Sequence, residues 1–190
     1  MFAHFDAKIN KERISNLVYE LNQFLPLDIV IKSLRPVERD AHARFDAISR
    51  TYEYHISKNK NAFENDLHYF FKKSLDLKLM NKGSKIILNQ QDFKCFSKSN
   101  SDVKTYICDI RKAYWKKSRQ GYIFTISSDR FLRNMVRAIV GTLLEIGLKK
   151  KTLENLQYII DSRDRSLAGY SVPAKGLFLT EILYPESIFK

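Results

Sequence analysis

Two groups of side chains in this 190-residue chain have types and spacing suited to chemistry on a polyanion. Arg130, Arg133 and Arg137 recur at i, i+3 and i+7, which puts three guanidinium groups on one face of a helix. Arg50, Tyr52 and Tyr54 alternate, which in a strand presents an arginine and two tyrosines on one side. Guanidinium forks grip phosphates and carboxylates, and tyrosine rings stack on bases. From Lys94 to Arg137 there are eleven basic residues against three acidic ones, so this stretch carries +8 of the formal net charge of +12. It includes Lys112, Lys116, Lys117, Arg119, Arg130 and Arg133, interleaved with Phe96, Tyr106, Tyr114, Trp115, Tyr122 and Phe124. Charge mixed with rings is the footprint of RNA binding. The plainer alternative has the rings filling the core side of two strands while the lysines solvate the other side, and on residue types alone the two stand level.

Other chemistries are poorly served. Cys95 and Cys108 form no CxxC and have no ligand spacing with His4, His42, His55 or His68, so two reduced structural thiols and no metal site are expected. No apolar run approaches the roughly 18 residues of a spanning helix. Asp6, Lys8, Lys11, Glu12 and Arg13 stand where a signal peptide would be apolar, and the chain reads as cytoplasmic with no membrane partner. An apolar fraction of 44% and an aromatic fraction of 13% belong to a folded domain.

The elements that must position these groups follow from hydrophobic periodicity. Ile14, Leu17, Val18 and Leu21 mark a first helix from a cap at Asn10 to Leu25, and Ile29, Val30 and Ile31 mark a strand within residues 27–34. Residues 47–57 alternate as a strand, and residues 76–89 read as a helix interrupted by Gly83. Residues 105–115 and 122–127 read as a hairpin around the basic turn 116–121. The apolar stripe Leu132, Met135, Val136, Ile139, Val140, Leu143 and Leu144 predicts a long helix capped at Ser128 or Asp129. A last helix over 152–162 and a strand over 177–183 complete an α+β protein with a mostly antiparallel central sheet flanked by helices.

Three segments taken together carry a resemblance: His42-Ala43-Arg44-Phe45-Asp46-Ala47 with Arg50-Thr51-Tyr52-Glu53-Tyr54, then Phe131-Leu132-Arg133-Asn134-Met135-Val136-Arg137 with Ile139-Val140-Gly141, then Lys175-Gly176-Leu177-Phe178-Leu179. In order and spacing they resemble the tRNA pseudouridine synthase A (TruA) family over essentially the whole chain. The resemblance implies a cofactor-free isomerase that converts uridine to pseudouridine in the anticodon arm of tRNA and works as a homodimer on a pseudouridine-synthase-like fold. It divides the chain into residues 1–75, the remainder of an N-terminal half-domain, and 76–190, a C-terminal half-domain contiguous with the first across one sheet.

By that resemblance Arg137 pairs with the catalytic aspartate, Tyr52 packs against the target uracil with a possible part in proton removal, and Leu177 closes the other side of the base pocket. Arg44 belongs with the substrate-binding residues, anchoring either the fold or a phosphate. Tyr54 reads as core. The family's nucleophilic aspartate lies in a Gly-Arg-Thr-Asp-Ala-Gly-Val-His segment upstream of what Phe2-Ala3-His4-Phe5-Asp6 resembles. Asp6 occupies a position without catalytic weight, and no other aspartate here lies in such a motif. The chain is therefore expected to be inactive as it stands. A non-catalytic RNA-binding module of the same ancestry is the second reading. A basic protein whose charge serves solubility or an acidic partner is the third.

Overall fold

A computed structural model describes residues 1–99 and 103–190, so Asp102, one of the acidic residues counted above, lies outside the described residues. Contacts divide the chain into two units, residues 1–47 with 184–190, and residues 48–183. The division falls at Ala47/Ile48 and not near residue 75, because the first strand of the second unit is hydrogen-bonded on both sides to later strands.

In the smaller unit, α1 (Ile14–Phe24) follows a single 3-10 turn. Asn10 enters through its carbonyl, which accepts the Arg13 N–H at 3.0 Å, and not as a side-chain cap. The strand expected within residues 27–34 does not form. Ile31 exchanges its backbone groups with the Asn22 side chain, donating at 2.8 Å and accepting at 2.9 Å, so its polar groups are satisfied without a partner strand. Ile29 and Val30 stay exposed.

The larger unit is a five-stranded sheet with helices on one face. Its strands are β1 (Ser49–Ser57), β2 (Tyr69–Phe70), β3 (Ile110–Lys117), β4 (Gly121–Ser128) and β5 (Leu177–Leu183). β1 is central, antiparallel to β4 on one side and to β5 on the other, and β3 extends the sheet beyond β4. β2, which periodicity misses because it is two residues long, pairs with β1 in parallel. The sheet is thus mostly antiparallel, as expected.

Directly opposed residues share a face. Tyr54, Phe124 and Trp115 form one rung on the helix side, and all three are buried. On the other face Ser49, Thr51, Thr125 and Ser127 are buried polar groups, with Ser127 Oγ 3.1 Å from Ser49 Oγ and 3.2 Å from Thr51 Oγ1, and the Thr125 hydroxyl donating to Glu53 at 3.5 Å.

α2 (Leu77–Leu88), α3 (Met135–Gly147) and α4 (Leu153–Ser162) supply the other layer. α2 is capped by Asp76, whose carboxylate accepts the Leu79 N–H at 3.0 Å, and α4 by a Thr152/Asn155 capping box. Gly83 belongs inside α2 because a Cβ there would lie 2.7 Å from Leu143 of α3. α3 is apolar nearly all round and buried over most of its length, as a central helix requires.

α3 does not begin at Ser128 or Asp129. It starts at Met135, after Asn134 in the left-handed region at φ 70°. Phe131, Leu132 and Arg133 therefore precede the helix, and Arg130, Arg133 and Arg137 do not share one helical face. The apolar stripe is real, but its first member, Leu132, is buried from a turn.

Candidate functional site

β1 sets the positions of the two tyrosines. Tyr52 opposes Ile126 and Leu179, and Tyr54 opposes Phe124 and Leu177, all on the helix side of the sheet. Successive same-face positions are about 7 Å apart along a strand. Tyr54 is fully buried, whereas Tyr52 and Leu177 are half-buried. The Tyr54 hydroxyl donates to the Pro173 carbonyl at 2.6 Å. Burial and neighbouring Tyr69 push its pKa up, against the pull of the Arg137 charge.

Tyr52 meets the Phe131 ring edge-on, with centroids 5.1 Å apart and planes at 90°. Burial raises its pKa from the ordinary 10, opposed by the Arg50 charge. A phenol held above its usual range stays protonated at neutral pH. It serves as a flat wall and hydrogen-bonding group more readily than as a base.

Arg137 reaches the same region from the first turn of α3. Its Nε donates to the Val172 carbonyl at 2.6 Å, and the Val172 N–H donates back to the Arg137 carbonyl at 3.3 Å. The residue is half-buried, and among the described residues no carboxylate pairs with it. Consecutive carbonyls, of Val172 and Pro173, thus tie the start of α3 and the middle of β1 to one segment. Neither carbonyl had a residue-type signal in the sequence. Phe131 likewise gave none, since it read as helix.

Tyr54→Phe removes the bond to Pro173 and leaves a part-buried acceptor without its donor. We expect a loss of about 1–2 kcal/mol with folding intact, measurable by urea titration.

Within the larger unit, the basic residues of β3 and of the β3–β4 turn do not gather around Tyr52. Lys112 and Lys116 oppose Ser127 and Ile123, which oppose Thr51 and His55, so both lysines stand on the sheet face away from Tyr52. There Lys116 pairs with Glu53 at 3.3 Å. Lys117 and Arg119 lie at the β3–β4 turn, and Arg130 and Arg133 follow the far end of β4, a strand of eight residues spanning about 26 Å. Tyr52 is near the Arg130 end, one rung before Thr51 and Ser127. Arg44 belongs to the smaller unit, on an exposed turn, its guanidinium 5.6 Å from the Phe45 ring centroid.

Cys95 and Cys108 are free and buried, with thiols pushed up by burial to about 12 and 11. Among the described residues no cluster of three or more His, Cys, Asp or Glu could hold a metal, and no helix is long and apolar enough to cross a membrane.

A family model for tRNA pseudouridine synthase matches residues 89–185. The chain is 46% identical over 192 residues to the tRNA pseudouridine synthase A of Parabacteroides distasonis, an alignment covering 100% of this chain and 75% of that protein. It is 46% identical to the one from Azobacteroides pseudotrichonymphae, covering 100% and 76%, and 41% identical to the one from Clostridium acetobutylicum, covering 86% and 68%. The chain belongs to the tRNA pseudouridine synthase A family. The family model spans Arg137, Val172, Pro173 and Leu177, while Tyr52 enters through the whole-chain matches.

Proposed function

We propose that the protein acts on tRNA as a pseudouridine synthase and that Tyr52, Arg137 and Leu177, all half-buried, form the site that receives a uridine extruded from the anticodon arm. Isomerisation breaks the C1′–N1 bond, turns the freed uracil, joins C5 to C1′, removes the C5 proton and leaves one on N1. Tyr52, held by Phe131, is the wall for the uracil, and Leu177 is the opposite wall. Arg137 keeps a carboxylate nucleophile ionised, because a carboxylate desolvated by a bound nucleotide would otherwise be pushed towards its protonated form.

The observation that supports this most is the fixing of the half-buried Arg137 by Val172, with no carboxylate partner among the described residues. Arg130 and Arg133, at the Tyr52 end of β4, suit phosphate contact. Lys112, Lys116, Lys117 and Arg119 would meet other parts of a large RNA. By the same resemblance the protein works as a homodimer in the cytoplasm, and sedimentation of the protein tests the dimer.

The 190 residues hold no aspartate in a Gly-Arg-Thr-Asp setting. The chain alone is therefore expected to bind tRNA, more weakly as salt rises, yet release no tritium from C5-labelled uridine. Release at an enzymatic rate would show a nucleophile within these residues and overturn the inactivity.

A further inference from the structure

Asn134 stands at the entrance of α3 in the left-handed region, at φ 70°, yet its side chain makes no capping bond to the helix. An asparagine that caps a helix lies in extended backbone, and its side-chain oxygen accepts an N–H of the first turn. Here the amide serves another segment: Asn134 Nδ2 donates to Ser171 Oγ at 2.5 Å. Left-handed backbone in a residue other than glycine has to be held by its surroundings, and it concentrates where a site fixes its own geometry.

Three residues on, Arg137 grips the next residue of that segment. Its Nε donates to the Val172 carbonyl at 2.6 Å, and the Val172 N–H returns to the Arg137 carbonyl at 3.3 Å. The Asn134 carbonyl accepts the Ala138 N–H at 3.1 Å, which fixes Asn134 to the turn that carries Arg137. The entrance of α3 thus holds consecutive residues, Ser171 by its side chain and Val172 by its main chain. Two anchors one residue apart restrain both sliding and rotation of the segment, where a single one would leave it free to pivot.

The segment is also seated from behind. Arg165 donates from Nη2 to the same Ser171 oxygen at 2.9 Å and from Nη1 to the Gly169 carbonyl at 3.2 Å. The Gly169 N–H donates to Thr142 Oγ1 at 2.8 Å, and a Cβ on Gly169 would lie 2.6 Å from the Thr142 nitrogen, so the 165–171 loop rests backbone on backbone against α3. Asn134, Arg165 and Ser171 are all half-buried. A hydroxyl oxygen has two lone pairs, and on Ser171 each one meets a donor.

We propose that Asn134 is a positioning residue for Arg137: through Ser171 it fixes where the Val172 carbonyl stands, and with it the direction of the guanidinium in the isomerisation. The assignment rests on the RNA-modifying function proposed above. Arg165 supports the same oxygen from the loop side. A guanidinium restrained in advance loses little freedom when its anionic partner arrives.

The test follows the Arg137 Nε–H by isotope-edited NMR, its signal assigned by its disappearance in Arg137→Lys. Wild type, Asn134→Gly, Ser171→Ala and Ser171→Thr are compared, with melting curves to verify that each folds. Glycine keeps the left-handed backbone without strain, and Ser171→Ala leaves the helix entrance untouched. Loss of one hydrogen bond should speed solvent exchange of the Arg137 Nε–H about three- to tenfold in Asn134→Gly and in Ser171→Ala, with the amides of α4 unchanged and Ser171→Thr close to wild type. Exchange at the wild-type rate in both variants would overturn the positioning and leave the proposed function standing. A rise shared equally by the α4 amides would show a general loosening of the fold and overturn it too. Titration of a fluorescent anticodon stem-loop RNA into the wild type tests the underlying reading: if none binds, the proposed function falls, and the role of Asn134 in its reaction falls with it.

Discussion

Fused behind a Gly-Arg-Thr-Asp segment taken from one of its relatives, the protein is expected to isomerise uridine in tRNA, and Arg137→Met is expected to cut that rate by roughly a thousandfold. Breaking a buried ion pair by deleting one partner costs about 3–5 kcal/mol, and each 1.4 kcal/mol is a factor of about ten. The loss should fall on kcat more than on KM, since the arginine acts on the nucleophile and not on the RNA backbone. Arg137→Lys keeps the charge but gives up the planar fork, so it should recover only part of the rate. Tritium release from C5-labelled tRNA, with RNA affinity measured in parallel, makes the comparison. Full activity in Arg137→Met would remove the arginine from the site.

Gly141→Ala should be the most damaging single-methyl substitution in the larger unit. A Cβ at Gly141 would fall on the Tyr170 carbonyl oxygen and lie 3.0 Å from its carbon. Both obstacles are backbone, and Gly169 packs against the same stretch of α3. Overpacking of this kind costs about 3 kcal/mol, enough to lower Tm by roughly 6–12 °C in a chain of this size. Gly147→Ala is the control. Its Cβ would meet Met80 Cγ and Sδ at 2.7 Å, a flexible side chain and not backbone, and alanine is the better helix former. Differential scanning calorimetry of the two variants should separate them clearly. If Gly141→Ala melts with the wild type, the loop is not seated on α3 as described.

What the sequence made legible follows from how each group declares itself. β1, the β3–β4 hairpin, α2, α4 and β5 show because their apolar residues repeat at the strand or helix period and their ends carry caps or turns. The stretch over residues 27–34 misled because a β-branched run satisfies a pattern without having a partner, and here one asparagine side chain takes the backbone groups instead. The start of α3 misled because Leu132 continues the apolar stripe even though the left-handed Asn134 breaks the helix after it. That error carried the three arginines onto a common face they do not have.

In the site, Tyr52, Leu177 and Arg137 came from motif resemblance, and their surroundings came only from coordinates. Phe131 against Tyr52 and the two carbonyls behind Arg137 and Tyr54 depend on how distant segments meet. The charge count registered that lysines abound between Lys94 and Arg137 but could not say which side of a sheet each would occupy. Strand register decides that, and it sends Lys112 and Lys116 away from Tyr52.

The carbonyl oxygens of Val172 and Pro173, on adjoining peptide planes, yoke a cation on a helix to a phenol on a strand. A substitution anywhere along 169–173 should therefore loosen the placement of the Arg137 charge and of the Tyr54 ring by the same stroke.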